Sequence, residues 1–476
     1  MKVLFVHGWS VTDTDTYGKL PEAIALQGGA VGLDIDVQYI WLGRYISFHD
    51  EVSMSDVTRA FDQALRDTIG ENDDIPKFSC ITHSTGGPVL REWVERFYGS
   101  ENLSACPLKH LVMLSPANHG SPLAALGKKR VGRIKAWFSG VEPGQRILDW
   151  LSLGSIEQEK LAEANLSYRP VENGVFPYVI TGQTIDKKFY NFLDPYLVEK
   201  GSDGVVRVAG ANMNYQMIEL QETDVIAQVA HGAQTMDVNL LDIAGDLKVP
   251  PHIPLGVVPD TSHSGDTIGM MGSVTSPEST RRQVEEIVKC LTVTNQNEYD
   301  QRSEELANLT HLTQAEDDQS RYLMIVFSVF DDQGDPIDDF DLFLLGGDGH
   351  DPDKLEKGFF VDRQRNAAHT NRLVYYVDYD KITQGQLSGF RVVARPDAGF
   401  SFYQAAEYHS NGSNLNEILK PNETFYVKIV LKRRVDENVF RVDELKNLPP
   451  EENGLKHTDS GRVDFKKLKP AGNKVK

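Results

Sequence analysis

A short segment around Ser84 contains the residue types of an activated nucleophile. Residues 82–87 read Thr-His-Ser-Thr-Gly-Gly, between an apolar run at 78–81 and a helical pattern that begins near Pro88. A serine on such a tight strand-to-helix turn stands above the edge of the sheet, and small residues two positions away let the turn close. The consensus is Gly-x-Ser-x-Gly, and Thr82 replaces its first glycine. We therefore predict Ser84 as the nucleophile, with an ordinary Ser/Gly turn as the alternative.

A nucleophilic serine needs a base, and the base needs a carboxylate to orient it. For a serine on this type of turn, the chain order is Ser, then acid, then His. Asp203 lies in the sequence Gly-Ser-Asp-Gly-Val-Val, typical of a loop at a strand end, and His263 stands between the last apolar run and the final helix. These two residues are the predicted acid and base. The rivals, with poorer context, are Asp186, Asp194 and Asp224 for the acid, and His231 and His252 for the base.

Hydrolysis of an acyl bond also needs hydrogen-bond donors for the negative oxygen of the tetrahedral intermediate. One predicted donor is the backbone N–H of Thr85, which directly follows the nucleophile, at a helix N-terminus whose dipole favours negative charge. The other predicted donor is the backbone N–H of Trp9, in the loop after the first strand. His7 and Gly8 are expected to shape that loop rather than to react.

Alternating strand and helix patterns in the first part of the chain predict the elements that position these groups. Short apolar runs typical of buried parallel strands lie at 2–6, 35–42, 78–82, 110–114, 177–181 and 253–258. Helical stripes lie at 17–26, from 57, at 89–97 and from 279. This alternation predicts an α/β fold, in which helices cover both faces of a mostly parallel sheet.

Taken together, these segments resemble the lipase-like branch of the α/β-hydrolases, which includes triacylglycerol lipases and inositol-deacylase-like serine hydrolases. The resemblance rests on the strand-His-Gly start, the Ser84 turn, the Leu-Ser-Pro-Ala-Asn-His-Gly-Ser segment at 114–121, the Asp203 loop and the late His263. It covers residues 1–292. It implies the α/β-hydrolase fold with a helical lid insertion, and a carboxylic-ester hydrolase, expected to be a lipase or phospholipase without a cofactor.

Two other classes of function stay open at this point. An esterase, thioesterase or other acyl hydrolase of soluble substrates would use the same three residues. A non-catalytic binding protein on the same fold would lack a member of the triad, whereas candidates for all three are present. Apolar residues in the insertion at about 121–160 fit a lid over a lipid site, and they also fit ordinary cap-helix packing: Trp137, Phe138, Ile147, Leu148, Trp150 and Leu151.

Changes in sequence pattern divide the chain into four predicted regions. Residues 1–292 form the catalytic domain, with a lid or cap insertion at about 121–170. Residues 293–320 are polar and form a linker or a solvent-exposed helix. Residues 321–440 show short strands separated by turn residues, a pattern typical of a β-sandwich. This domain is expected to contribute no residue to the triad and to be available for binding an unknown partner. A chain that ends at the linker is therefore expected to stay active, and residues 441–476 are expected to be disordered.

The net charge excludes nucleic acid as a general partner. The chain has 476 residues, with 69 acidic and 49 basic side chains and a formal net charge of −20, so its field repels phosphate backbones. Five cations nevertheless lie close together in the predicted lid: Lys128, Lys129, Arg130, Arg133 and Lys135. They predict peripheral contact with an anionic lipid surface through the 121–160 insertion, and a cap helix with a solvated basic face is the alternative.

Composition and motifs also bear on location and metals. The chain is 40% hydrophobic, has no apolar run long enough for a membrane span, and begins without a standard secretory signal. A cytoplasmic location is expected, with leaderless export as the alternative. Three scattered cysteines give no disulfide framework. The acidic run that begins at Asp331 fits a calcium loop or a hairpin turn, and we expect the turn and no metal.

Overall fold

Two β-sheets and their flanking helices make up most of the protein in the computed structural model. The structure describes residues 1–6, 14–47, 49–72, 74–124, 144–186, 199–231, 234–315, 320–382, 387–396, 401–410 and 414–435, with short pieces at 456–457, 459–460 and 463–464. No helix within these ranges combines the length and the apolar character that a membrane span requires.

The strands and helices are numbered in chain order. The strands are β1 (Lys2–Val6), β2 (Asp36–Ile40), β3 (Phe78–His83), β4 (Leu108–Leu114), β5 (Phe176–Gly182), β6 (Tyr215–His231), β7 (Gln234–Ile243), β8 (Leu255–Val258), β9 (Tyr322–Asp331), β10 (Asp339–Gly346), β11 (Phe360–Arg365), β12 (Arg372–Asp378), β13 (Leu387–Arg395), β14 (Ser401–Phe402), β15 (Ala406–His409), β16 (Thr424–Leu431), β17 (Arg434–Val435), β18 (Lys456–His457) and β19 (Val463–Asp464). The helices are α1 (Leu20–Ala30), α2 (Met54–Ile69), α3 (Gly86–Phe97), α4 (Gln145–Leu151), α5 (Ile156–Asn165), α6 (Val208–Ala211), α7 (Arg282–Thr292), α8 (Gln296–Ala315), α9 (Tyr379–Ile382) and α10 (Asn414–Ile418).

Six parallel strands form the first sheet, in the order β2-β1-β3-β4-β5-β8. Alternate side chains of β1 show how both of its faces are covered. Val3 and Phe5 belong to the apolar cluster that includes residues of α1 and α7. Leu4 and Val6 belong to the cluster that includes residues of α2 and α3. A parallel sheet buried by helices on both faces confirms the predicted α/β fold class.

Nine strands form the second, mixed sheet, in the order β10-β13-β15-β7-β6-β16-β9-β12-β11. Most of its core comes from residues beyond 320, as predicted for a C-terminal β domain, but Ile218, Leu220 and Leu241 also belong to it. These three residues lie on β6 and β7, which fall within residues 1–292, the predicted catalytic domain. β6 pairs with β16, and β7 pairs with β15, both in parallel. A hairpin from the first part of the chain therefore completes the second sheet.

The polar segment after α7 folds into helix α8, which packs on the first sheet. Tyr299 and Leu306 are buried, and the Tyr299 hydroxyl donates a hydrogen bond to the Pro177 carbonyl at 2.9 Å. The Thr313 hydroxyl donates to the Val257 carbonyl at 2.8 Å. The sequence pattern predicts either a linker or a solvent-exposed helix for this segment, because the few apolar residues of α8 are widely spaced among polar ones.

The acidic run at the end of β9 forms a turn. The Asp331 carboxylate accepts the backbone N–H groups of Gln333 and Asp335, both at 2.9 Å. Asp341, on the next strand, pairs with Arg395. In the part of the chain that the structure describes, no group of three or more His, Cys, Asp or Glu side chains is arranged to hold a metal ion. The Asp331 carboxylate therefore stabilises a turn, and the Asp341 carboxylate forms an ion pair.

Candidate active site

The turn between β3 and α3 carries Ser84. The serine has a positive φ of 55°, a strained conformation for a residue with a side chain. Gly87 lets the turn close, because a Cβ there would lie 2.7 Å from the Cβ of Pro116, which follows β4. The Ser84 N–H donates to the Leu114 carbonyl at 3.0 Å. The turn therefore fixes Ser84 at the carboxyl edge of the parallel sheet, where ligands bind in open α/β sheets.

Three buried side chains form a hydrogen-bonded chain at this edge. His263 Nε2 lies 3.1 Å from the Ser84 hydroxyl oxygen, and His263 Nδ1 lies 2.9 Å from a carboxylate oxygen of Asp203. The exposed fraction is 5% for Ser84, 1% for His263 and 0% for Asp203, so the protein shields these groups from bulk water. The structure thus brings together the three residues that the sequence indicates as nucleophile, base and acid.

Asp203 lies near the tip of a tight segment, residues 199–208, which we name the acid loop. One carboxylate oxygen of Asp203 accepts the backbone N–H groups of Val205 (3.0 Å) and Val206 (2.8 Å). The Val208 N–H donates to the Gly201 carbonyl at 2.9 Å and closes the loop. The backbone therefore orients one oxygen of the carboxylate while the other contacts His263.

The backbone and ring of His263 are held as well. Its N–H donates to the Asp203 carbonyl at 2.9 Å, and its carbonyl oxygen lies 3.2 Å from Nε2 of His83. The rings of His83 and His263 lie 4.6 Å apart. His83 has no role among the predictions from the sequence, although its place directly before Ser84 is a signal that could have indicated one.

The rival acids and bases are placed differently. Asp224 is exposed on β6 and pairs with Lys432 at 2.6 Å. His252 lies 3.0 Å from a serine hydroxyl on α8, and Asp186 is buried after β5. Outside the described residues lie Asp194 and the side chain of His231.

Only part of the predicted oxyanion site and lid falls within the described residues. Thr85 is buried directly before α3. Trp9 lies outside the described residues, as do the cationic cluster at 128–135, Trp137 and Phe138. The other apolar residues of the predicted lid are buried on helix α4: Ile147, Leu148, Trp150 and Leu151. The described part of the insertion therefore includes two helices, α4 and α5, that bury apolar side chains.

The second sheet contacts the segment that follows β4, which also contacts the nucleophile turn. The hydroxyl of Tyr426, on β16, lies 2.7 Å from Nδ1 of His119, which follows β4. Ala117, in the same segment, donates its N–H to the Ser84 carbonyl at 3.3 Å. Burial and then the charge of Arg91 lower the pKa of His119 from 6.5 to about 3, so this ring is neutral. No short-range pattern could have indicated a contact between residues 307 positions apart.

Comparison with known proteins identifies the family. No family model and no curated protein matches the chain. Two solved structures of phospholipase PlaB from Legionella pneumophila, one of them in complex with thio-NAD, are 41% identical to this chain with a TM-score of 0.82. Each match covers 94% of this chain and 97% of the PlaB chain. The chain therefore belongs to the PlaB family, in the lipase-like branch of the α/β-hydrolases, and is a carboxylic-ester hydrolase.

Proposed function

We propose that the enzyme hydrolyses the acyl esters of phospholipids, with Ser84 as nucleophile, His263 as general base and Asp203 as the carboxylate that orients His263. The observation that carries the proposal is the hydrogen-bonded chain from Asp203 through His263 to Ser84. Its two distances, 2.9 Å and 3.1 Å, suit proton transfer from a serine to a histidine that a carboxylate holds in place.

The geometry supports a two-step reaction. His263 takes the Ser84 proton while the serine oxygen bonds to the ester carbonyl carbon, which gives a tetrahedral oxyanion. His263 then gives this proton to the leaving lysophospholipid oxygen, the ester C–O bond breaks, and an acyl-enzyme remains. Water then gives a proton to His263 as its oxygen bonds to the acyl carbon. The bond between that carbon and the Ser84 oxygen breaks, His263 returns the proton to Ser84, and the fatty acid is released. Asp203 accepts a hydrogen bond from the Nδ1–H of His263 and stabilises the imidazolium that forms in each step.

The oxyanion needs donors beside Ser84, and we propose the backbone N–H groups of Thr85 and Trp9. Thr85 stands at the N-terminus of α3, where the helix dipole favours negative charge. β1 pairs with β3, and Val6 lies opposite Thr82. β1 therefore ends next to the Ser84 turn, and Trp9 follows the last residue of β1 by three positions in the sequence.

A vesicle assay tests the phospholipid substrate, which the similarity to phospholipase PlaB supports. We expect fatty-acid release from phosphatidylcholine vesicles at least about tenfold faster than hydrolysis of a soluble p-nitrophenyl ester at equal concentration. Hydrolysis of the soluble ester alone would instead favour an esterase or thioesterase. The assay includes samples with and without NAD, because one PlaB structure was solved with thio-NAD.

We also propose that the cationic segment at 128–135 brings the enzyme to anionic lipid surfaces. The support is its cluster of five cations in a chain of net charge −20. Each cation near such a surface contributes about 1 kcal/mol, and salt weakens the attraction. Anionic vesicles should therefore be hydrolysed faster than neutral ones at low salt but not at high salt. Replacement of Lys128, Lys129 and Arg130 by Ala should remove the difference, and binding that ignores lipid charge would contradict the idea.

A further inference from the structure

The base of the acid loop rests on the second sheet. Tyr376, on β12, places its hydroxyl 3.1 Å from the Gly201 carbonyl oxygen and 3.2 Å from that of Lys200. Burial raises the pKa of Tyr376 well above its ordinary value, so the hydroxyl keeps its proton and donates to these carbonyls. A strand of the second sheet therefore binds the backbone two residues before Asp203.

A buried arginine ties both ends of the acid loop to the same sheet. Arg207 donates to the two carboxylate oxygens of Glu199, at 2.7 Å and 2.8 Å, and to Asp362 on β11. Its guanidinium lies 4.2 Å from the centre of the Tyr376 ring, a favourable cation–π contact. Although burial opposes the charge, Glu199 and Asp362 raise the pKa of Arg207 above its ordinary value. A charged arginine thus joins the loop to β11 and β12.

The loop approaches the second sheet too closely for a side chain at residue 201. Gly201 has a φ of 76°, and a Cβ there would overlap the ring of Tyr322 and the hydroxyl of Tyr376. The Tyr322 and Tyr376 rings stack with their centres 5.1 Å apart. Just beyond the loop, the Thr424 hydroxyl on β16 donates to the Ala209 carbonyl at 2.9 Å. Three strands of the second sheet, β9, β11 and β12, therefore contact the acid loop, and β16 contacts the residue that follows it.

Segments that follow strands β4 and β8 of the first sheet also bind the loop. The Ser121 hydroxyl donates to the Val205 carbonyl at 2.6 Å, and the His263 N–H donates to the Asp203 carbonyl at 2.9 Å. The acid loop is therefore bound both by strands of the second sheet and by segments that follow strands of the first. A carboxylate fixed in this way needs little reorganisation during the reaction, and small displacements of such a group slow catalysis strongly.

We propose that Tyr376 and Asp362 are positioning residues, which act on the reaction by holding the acid loop so that Asp203 stays against His263. The proposal rests on the assignment of Asp203 as the catalytic acid. It gives the second sheet a role in the chemistry of a site to which it contributes no reacting group.

The Tyr376→Phe variant of the full chain tests the proposal, because it removes the hydroxyl and keeps the ring. We expect kcat on a soluble ester to fall about tenfold while KM stays within about twofold of wild type. Tyr375→Phe is the matched control. Tyr375 directly precedes Tyr376 on β12, is buried in the other face of the sheet and donates its hydroxyl to the Leu342 carbonyl at 2.7 Å. Loss of this hydroxyl should leave kcat unchanged.

Asp362→Asn provides a second variant at a position that is 30% exposed, so it remains informative if Tyr376→Phe fails to fold. It removes the charge that faces Arg207 and, like Tyr376→Phe, should lower kcat. Unchanged kcat in both Tyr376→Phe and Asp362→Asn, or an equal loss in Tyr375→Phe, would overturn the proposal.

Combination with Asp203→Asn separates positioning from a general loss of stability. Asp203→Asn alone should lower kcat roughly 10³-fold or more. Adding Tyr376→Phe should then cause no further loss, because the hydroxyl acts through Asp203. A further tenfold loss in the double variant would show that Tyr376 acts by another route and overturn the proposal. If Asp203→Asn keeps wild-type kcat, the catalytic assignment itself fails, and the positioning role fails with it.

Discussion

Replacing Ser84 by Ala should abolish ester hydrolysis and leave the fold intact. Without the hydroxyl no acyl-enzyme forms, so we expect kcat on a p-nitrophenyl ester to fall by roughly 10⁵-fold or more. Only one oxygen atom is removed from a position close to His263, so the thermal unfolding midpoint should stay near that of wild type. A fluorophosphonate probe should label the wild type at Ser84 and should not label the variant.

Ser115 offers a matched control for this substitution. Like Ser84, it is buried directly after a strand of the first sheet and has a positive φ, of 44°. Ser115→Ala should keep kcat within a few-fold of wild type and should still be labelled by the probe at Ser84. Labelling at another serine, or full activity of Ser84→Ala, would place the nucleophile elsewhere.

Ending the chain at residue 295 should abolish activity completely, even on a small soluble ester. The sequence pattern alone predicts that this truncated chain stays active, whereas the strand pairing in the structure predicts that it does not. β6 loses its seven paired positions with β16, and β7 loses its neighbour β15. The backbone hydrogen-bonding groups on both outer edges of the hairpin then have no strand to pair with. Ile218, Leu220 and Leu241 lose the core in which they are buried, and the acid loop loses the contacts with β11 and β12.

Adding the missing part in trans provides the control for this truncation. If residues 296–476 bind the truncated chain and rebuild the second sheet, they should restore part of the p-nitrophenyl esterase activity. Circular dichroism and size-exclusion chromatography report whether the short chain folds alone. A folded monomer ending at residue 295 with wild-type kcat would contradict the role that we give to the second sheet.

The first sheet and the three proposed catalytic residues could be predicted because they depend on short-range patterns. The apolar run at 78–81 marks β3, and the residues that follow it identify Ser84 as a turn residue. Asp203 and His263 follow from chain order and from their loop contexts, which the topology of the parallel sheet determines. Element bounds agree to within a few residues for most of this sheet, as with the predicted strand at 177–181 and the observed Phe176–Gly182.

The second sheet could be predicted only in part. Apolar runs beyond residue 320 indicate several of its strands, but β6 violates the simple apolar pattern, and the strands pair over long distances. On β6, Glu222 is buried beside Arg434, whereas Val225 and Ile226 are exposed. A pattern that places apolar residues inside and charges outside therefore misses this strand. Tyr376 and Arg207 likewise look like ordinary strand and loop residues, and only the tertiary structure brings them together.

The pairing of β6 with β16 also has a consequence for biosynthesis. Their paired residues are 209 positions apart, as in Glu219 and Lys428, and the N-terminal part of a chain leaves the ribosome first. Ser84, Asp203 and His263 all emerge before any strand of the second sheet beyond β7. We therefore expect a nascent chain to be catalytically inactive until β16 has been translated. The cell's own phospholipids would then be exposed to active enzyme only after translation of the second sheet.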